Sequence, residues 1–156
     1  RRVLFRSQNI TTVLNPAPAI ELPKSLLELT DIIIPNETEA ELLTGISINN
    51  ESDMKETATY FLDLGISAVL ITLGEQGTYC AYQEQYKMIP ACNVKAIDTT
   101  AAGDTFIGAF LSELNKDLSN IESAIRLANQ ASSLTVQRKG AQASIPTRKE
   151  VEAEYN

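Results

Sequence analysis

The chain is 156 residues long, with 44% hydrophobic and 21% charged residues and a formal net charge of −7. This length is enough for one domain with a buried core, and the composition is ordinary for a soluble globular protein. The acidic balance argues against nucleic acid as a partner, because proteins that bind it usually present a basic face. The sequence contains no His, which excludes Ser-His-Asp and Cys-His catalysis and His-based zinc sites.

The two cysteines and the hydropathy pattern bear on the cellular compartment. Cys80 and Cys92 lie in apolar, strand-like runs and have neither a CxxC nor a metal-ligand spacing. We therefore predict buried, reduced thiols in a reducing compartment. No apolar run approaches the length of a transmembrane helix and no secretory signal is visible, so we expect a cytoplasmic protein with no membrane partner.

Taken in chain order, the sequence alternates short apolar runs with amphipathic stretches. Residues 1–7 match no element, so residues 1–10 are predicted to be an artefact or unstructured. Apolar, β-branched runs predict strands, and apolar residues at helical spacing predict helices. Gly45 and Gly65 are predicted to end two of the helices, and Ser52 to cap one. We predict strands over residues 11–14, 31–34, 67–73, 78–82, 86–90 and 93–97, and helices over residues 23–29, 36–43, 52–64, from about 104, and from 121 to about 138.

The stretch Asp98-Thr99-Thr100-Ala101-Ala102-Gly103-Asp104 consists mostly of small residues and precedes apolar residues at helical spacing. It predicts a tight loop that leads into a helix at about Asp104. A helix N-terminus offers free N–H groups to an anion, and Ala101, Ala102 and Gly103 would let a phosphate approach their backbone. Asp104 has two interpretations. The stretch alone favours an N-cap, and the alternative is a base that takes a proton from a hydroxyl attacking a phosphate.

Asn36 and Glu39 lie three residues apart at the start of a predicted helix. Their spacing alone favours a capping box, in which each side chain accepts a hydrogen bond from the backbone N–H of the other residue.

Thr72-Leu-Gly74-Glu-Gln-Gly77 follows the strongest predicted strand. A lone Gly-x-x-Gly is a weak signal and can be a plain turn. Because it follows a buried strand, it is expected at the carboxyl edge of an α/β sheet, where ligands bind. Asn129, in the last predicted helix, is by itself interpreted as an ordinary exposed polar residue.

These motifs resemble those of the ribokinase (PfkB) family of sugar kinases. Residues 98–104 are similar to the family's second signature, D-T-x-[GA]-A-G-D, and Asn36 and Glu39 are similar to its N-x-x-E motif. Leu14-Asn-Pro-Ala-Pro-Ala19 resembles the ribokinase branch in particular. The resemblance implies an α/β fold with a mainly parallel sheet flanked by helices, in which residues 11–156 are the C-terminal part of a kinase domain.

The resemblance also implies roles for individual residues. Asp104 would be the catalytic base, with an anion hole at Ala101, Ala102 and Gly103. Glu39 would order a Mg²⁺ ion through water. The implied nucleotide contacts are Asn36, Thr72, Gly74, Gly77, Gly103 and Asn129. The implied ligands of an activating K⁺ ion are oxygen atoms, which suit an alkali cation, of Asp98, Thr100, Thr135, Arg138, Gly140 and Ser144.

The reaction implied by the resemblance is transfer of the γ-phosphoryl group of ATP to D-ribose by a full-length homodimer. The similarity covers only the C-terminal half of the family's chain. We therefore expect most sugar-binding residues to lie outside this sequence, and this segment alone to be inactive. Two alternatives stay open: a family kinase that acts on another sugar or a nucleoside, and a catalytically inactive nucleotide-binding fragment.

Overall fold

The computed structural model describes residues 10–155, so the prediction for residues 1–9 lies outside the described part. The chain divides into two compact units, one of residues 10–73 and 79–88, the other of residues 74–78 and 89–155. Five strands form one sheet in the order β1 (Val13–Leu14), β2 (Ile32–Ile33), β3 (Ala68–Thr72), β4 (Gly77–Tyr82) and β5 (Gln85–Pro90). The helices are α1 (Lys24–Leu27), α2 (Glu37–Thr44), α3 (Glu51–Asp63), α4 (Ala102–Glu113), α5 (Ile121–Val136) and α6 (Arg148–Tyr155), with 3₁₀ turns at Gly74–Gln76 and Gln142–Ser144.

The first three strands form the parallel part of the sheet. β1 pairs with β2 and β2 pairs with β3, so Ile32 lies between Val13 and Ala68. Both residues of β2 are fully buried, as expected for a central parallel strand. Gln83 and Glu84 join β4 to β5 in a hairpin turn with φ values of 49° and 62°. The predicted α/β fold with flanking helices is confirmed, and the five-stranded sheet is mixed, with parallel pairing among β1, β2 and β3.

Helix α3 packs on β3 and covers the core of the first unit. Phe61, Val69, Ile71 and Tyr79 are buried together in this core. Burying a large apolar side chain of this kind stabilises the fold by about 1.5–3 kcal/mol, so this cluster holds the helix to the sheet.

The start of α3 corrects one sequence prediction. The side chain of Asn50 accepts hydrogen bonds from the N–H groups of Ser52 and Asp53 at 2.9 and 3.2 Å. Asn50 is therefore the N-cap, and the prediction of Ser52 as the cap is wrong. Both residue types can cap a helix, and the one that lies just before the first turn takes the role. The predicted end of α2 is confirmed, since Gly45 adopts a left-handed conformation with φ of 75°.

Residues 93–97, predicted as a strand, form no strand in the structure. The N–H groups of Ile97 and Asp98 donate to the carbonyl of Val136, at 2.7 and 3.1 Å. This carbonyl belongs to the last turn of α5, so the segment is joined to a helix end. The prediction was wrong because alternation of apolar and polar residues reports which side chains suit a sheet, and does not establish that a neighbouring strand exists.

In the second unit, α4 and α6 both pack against α5. Helix α6 was missed at the sequence level, although its start carries a signal. The N–H of Thr147 donates to the carboxylate of Glu150 at 2.7 Å, and the N–H of Glu150 contacts the Thr147 hydroxyl at 3.4 Å. Thr and Glu at this spacing form a capping box, which could have predicted the helix.

Cys80 and Cys92 form no disulfide bond. Cys80 is buried as predicted, whereas Cys92 is only partly buried. Among residues 10–155, none of the helices has both the length and the apolar character that crossing a bilayer requires.

Candidate active site

The loop at residues 98–101 leads into α4, as predicted, but the helix begins at Ala102 and not at Asp104. Ala101 is the N-cap, and its φ of 62° lies in the left-handed region, where an alanine costs about 1–2 kcal/mol. Strain of this kind often occurs at functional sites. The N–H groups of Gly103 and Asp104 precede any helical acceptor, so they lie at the positive end of the helix dipole.

Asp104 is the third residue of α4, so its interpretation as the N-cap is wrong. Its side chain is exposed, and no residue of the described chain bonds to its carboxylate. Asp53 occupies the same position in α3 and differs, because its carboxylate accepts from the N–H of Asn49 at 2.8 Å and from Asn50 Nδ2 at 3.0 Å. The Asp104 carboxylate therefore keeps its lone pairs available to a ligand.

Asp98 joins the loop before α4 to the loop after α5. Its carboxylate accepts hydrogen bonds from the N–H groups of Thr100 at 2.9 Å and Gly140 at 3.0 Å. The bond from Gly140, followed by those from Thr100, lowers the pKa of Asp98 to about 2. Asp98 is therefore ionised at neutral pH. Gly140 has a φ of 100°, a conformation that side chains disfavour.

The other predicted K⁺ ligands lie near this connection. Thr135 and Ser144 are fully buried. The carbonyl of Thr135 accepts from the N–H of Arg138 at 3.0 Å, and the hydroxyl of Ser144 donates to the carbonyl of Ala141 at 2.6 Å. Each of these oxygens keeps a lone pair, and hard oxygen donors are the ligands an alkali cation requires. The donor set therefore fits a monovalent cation. Within the described ranges there is no cluster of three or more Asp, Glu, Cys or His suited to a metal ion.

In the first unit, three of the predicted ligand residues lie together at the carboxyl edge of β2 and β3. They are Asn36, Glu39 and Thr72. Asn36 Oδ1 accepts from the N–H of Glu39 and Glu39 Oε2 accepts from the N–H of Asn36, both at 2.9 Å. The capping-box interpretation is therefore confirmed, and Glu39 is buried by it. Asn36 forms a parallel bridge with Thr72, whose N–H donates to the carbonyl of Pro35 at 2.9 Å. The role of Glu39 toward Mg²⁺ stays a prediction.

The two glycines of the predicted Gly-x-x-Gly differ in surroundings. Gly74 opens a 3₁₀ turn and is exposed, whereas Gly77 is buried. Gly77 has a φ of 113°, and a Cβ atom there would lie 2.2 Å from the carbonyl oxygen of Ile89 and 2.6 Å from the amide nitrogen of Ala91. Only glycine fits at this point, because the backbone strands approach too closely for a side chain.

Asn129 is 7% exposed, so its interpretation as an exposed residue is wrong. Its side chain bonds to Thr78 and to the carbonyls of Ile89 and Pro90. Sequence reasoning missed Thr78 and also Ser132, whose hydroxyl donates to the carbonyl of Ala102 at 3.0 Å. No local pattern marks either residue, because their partners are distant in the chain.

Comparison with known proteins agrees with these features. Residues 2–148 match the pfkB family carbohydrate kinases. Ribokinase of Staphylococcus aureus (strain COL) is 63% identical over 148 residues, which cover 95% of this chain and 49% of that protein. Ribokinase of Haemophilus influenzae is 47% identical over 147 residues, 94% of this chain and 48% of that protein. The solved structure of Arabidopsis thaliana ribokinase complexed with ribose and ATP has a TM-score of 0.89 and 32% identity, and the match covers 97% of this chain and 49% of that one.

The chain spans about half the length of the curated relatives that it matches. The match to the family nevertheless extends over almost all of this chain and includes the loop at residues 98–104, the capping box and the Gly-x-x-Gly turn. The chain therefore belongs to the pfkB family of carbohydrate kinases.

Proposed function

We propose that the complete protein transfers the γ-phosphoryl group of ATP to the primary hydroxyl of D-ribose, and that this chain supplies the nucleotide side of its site and the base. The observation that carries the proposal is the start of α4, where free N–H groups adjoin the exposed carboxylate of Asp104. The identity to curated ribokinases, and the similarity to a structure that holds ribose and ATP, support this choice of substrates.

The proposed chemistry assigns separate tasks to the start of α4. The N–H groups of Gly103 and Asp104 hold the transferring phosphoryl group, and the helix dipole offsets its negative charge. The Asp104 carboxylate accepts the proton of the sugar hydroxyl as that oxygen bonds to phosphorus and the bond to the leaving ADP breaks. Phosphoryl transfer depends mainly on positioning and charge stabilisation, which these groups can supply.

Two ions complete the proposal. Asn36 and Glu39 would hold, through water, a Mg²⁺ ion that neutralises phosphate charge. The oxygen atoms of the loops around Asp98 and Gly140 would hold K⁺ and so stabilise the loop that precedes α4. The homodimer, the cytoplasmic location and the absence of nucleic-acid or membrane partners stay predictions.

The proposal is tested by measuring ADP formation by the complete protein with D-ribose, 2-deoxyribose, fructose and adenosine. We expect the highest kcat/KM with D-ribose. A higher value with one of the other acceptors would support the family kinase of different specificity. ATP binding without phosphorylation of any acceptor would support the nucleotide-binding alternative.

Replacing Glu39 with Gln should separate its two roles. Gln can accept the same N–H at this position of a capping box, so the melting temperature of the complete protein should hardly change. Because the negative charge is lost, the Mg²⁺ concentration needed for half-maximal activity should rise about tenfold, the lower end of the effect of removing a partner that acts on a metal through its outer shell. Glu39→Ala is the control, since it should also lose about 1 kcal/mol of stability with the cap. An unchanged Mg²⁺ requirement in Glu39→Gln would leave Glu39 with a capping role alone.

The complete protein should be activated by K⁺. The predicted ligands are hard oxygen atoms on the two loops joined by Asp98, so an ion of matching size should hold these loops in place. Initial rates are compared in KCl and in tetramethylammonium chloride at equal ionic strength. Equal rates in both salts would contradict the assignment of these oxygens to a cation.

A further inference from the structure

Three hydrogen bonds within the chain hold the side chain of Asn129 in place. Its Nδ2 donates to the carbonyl of Ile89 at 3.2 Å and to the carbonyl of Pro90 at 3.1 Å, and its Oδ1 accepts from Thr78 Oγ1 at 3.0 Å. An amide group has two N–H donors, and both are used here. The two carbonyls can only accept, so this orientation of the amide is the one that satisfies all its partners.

These three bonds connect α5 to the start of β4 and to the end of β5. Thr78 directly follows Gly77, and Pro90 ends β5. Here the N–H of Ala91 lies 3.4 Å from the carbonyl of Gln76, and Gly77 packs against the Ile89 carbonyl. Asn129 therefore binds both chain segments near this close approach, and its bond to Thr78 connects the Gly74–Thr78 segment to α5.

The same helix carries two further polar contacts at intervals of three residues. Ser132 binds the carbonyl of Ala102 at 3.0 Å, and the hydroxyl of Thr135 pairs with that of Thr105 at 3.1 Å. We call Asn129, Ser132 and Thr135 the α5 polar stripe. Successive members of the stripe are three positions apart and so are neighbours on the helix surface, and through them one helix bonds to both the Gly74–Thr78 segment and α4.

We propose that Asn129 is a positioning residue that sets the place of the Gly74–Thr78 segment relative to the start of α4. This inference rests on the proposed function, because the segment matters to activity only if it binds ATP. A group on a rigid helix is well suited to the task, since displacement of a binding loop by about 1 Å can lower activity substantially.

The test uses Thr78, which is 1% exposed and whose hydroxyl donates to Asn129 Oδ1. In the complete protein, Thr78→Val removes the hydroxyl with little change in shape, and Thr78→Ser keeps it. We expect Thr78→Val to raise the KM for ATP about three- to tenfold, the value of one ordinary hydrogen bond, while Thr78→Ser stays near wild type. Asn129→Leu should also raise the KM for ATP. The double variant should have a KM no higher than that of Asn129→Leu alone, because both changes break one hydrogen-bond network.

Ser133→Ala is the matched control. Ser133 is a buried hydroxyl on the same helix, and it bonds to Tyr155 and to the carbonyl of Gln130, away from the Gly74–Thr78 segment. The Ser133→Ala variant should have a lower melting temperature and an unchanged KM for ATP. If Thr78→Val behaves like this control, or if the effects of Thr78→Val and Asn129→Leu on KM are additive, the positioning role is wrong. If the wild-type complete protein binds no ATP, the proposed function itself fails, and the inference with it.

Discussion

Replacing Asp104 with Asn is expected to lower the kcat of the complete protein by at least about 100-fold, the lower end of what a general base contributes. Asn is nearly the same size as Asp but cannot take the proton of the sugar hydroxyl. The affinity for ATP should stay the same or increase slightly, because a negative charge near the triphosphate is removed. The measurements are kcat from ADP formation and ATP affinity by calorimetry.

The structure supplies a control for this experiment in Asp53. Both residues are third in their helices, so Asp53→Asn removes a charge from the same place relative to a helix dipole. The structure also limits the stability effect at Asp104, because the side chain makes no capping bond. Asp104→Ala should therefore change the free energy of unfolding by no more than about 1 kcal/mol, the size of a charge–dipole interaction. A near-normal kcat in Asp104→Asn would contradict its assignment as the base.

Replacing Gly77 with Ala is expected to destabilise the complete protein by about 3 kcal/mol or more, since backbone strain and overpacking each contribute about 1–3 kcal/mol. The added Cβ would lie 2.2 Å from the Ile89 carbonyl oxygen, and neither atom can rotate away, because the oxygen is part of the backbone and the Cβ position is fixed by it. Because the turn before β4 would shift, the affinity for ATP should fall as well. Urea unfolding and ATP titration measure the two effects.

The Gly65→Ala variant measures the cost of backbone strain without the cost of a close contact. Gly65 has a φ of 89°, and a Cβ atom there would meet no heavy atom within 4 Å. This variant should therefore lose only the about 1–2 kcal/mol that a left-handed conformation costs a side chain. Equal losses in Gly65→Ala and Gly77→Ala would show that the close approach at Gly77 does not matter.

Local patterns determined much of the fold and the outline of the site. The apolar run that includes Ala68–Thr72, the Asn36–Glu39 capping box and the turn at Gly45 all depend on residues near one another in sequence, and all three predictions are confirmed. The chain order of the small residues at 98–103 likewise predicted a loop that leads into a helix. These features can be predicted from the sequence because backbone conformation, capping and side-chain periodicity are set mostly within one or two helical turns.

Tertiary structure decided which of these local possibilities are used. Whether residues 93–97 form a strand depends on a partner that no local pattern supplies, and the structure joins the end of that segment to the carbonyl of Val136. The partners of Asn129 lie 51, 40 and 39 residues away, and two of them are backbone carbonyls, which carry no mark in the sequence. A polar residue in a helix can face solvent or bind a distant segment. Only the packing of α5 on its neighbours determines that this one is buried, because burial of an amide requires all of these long-range partners at once.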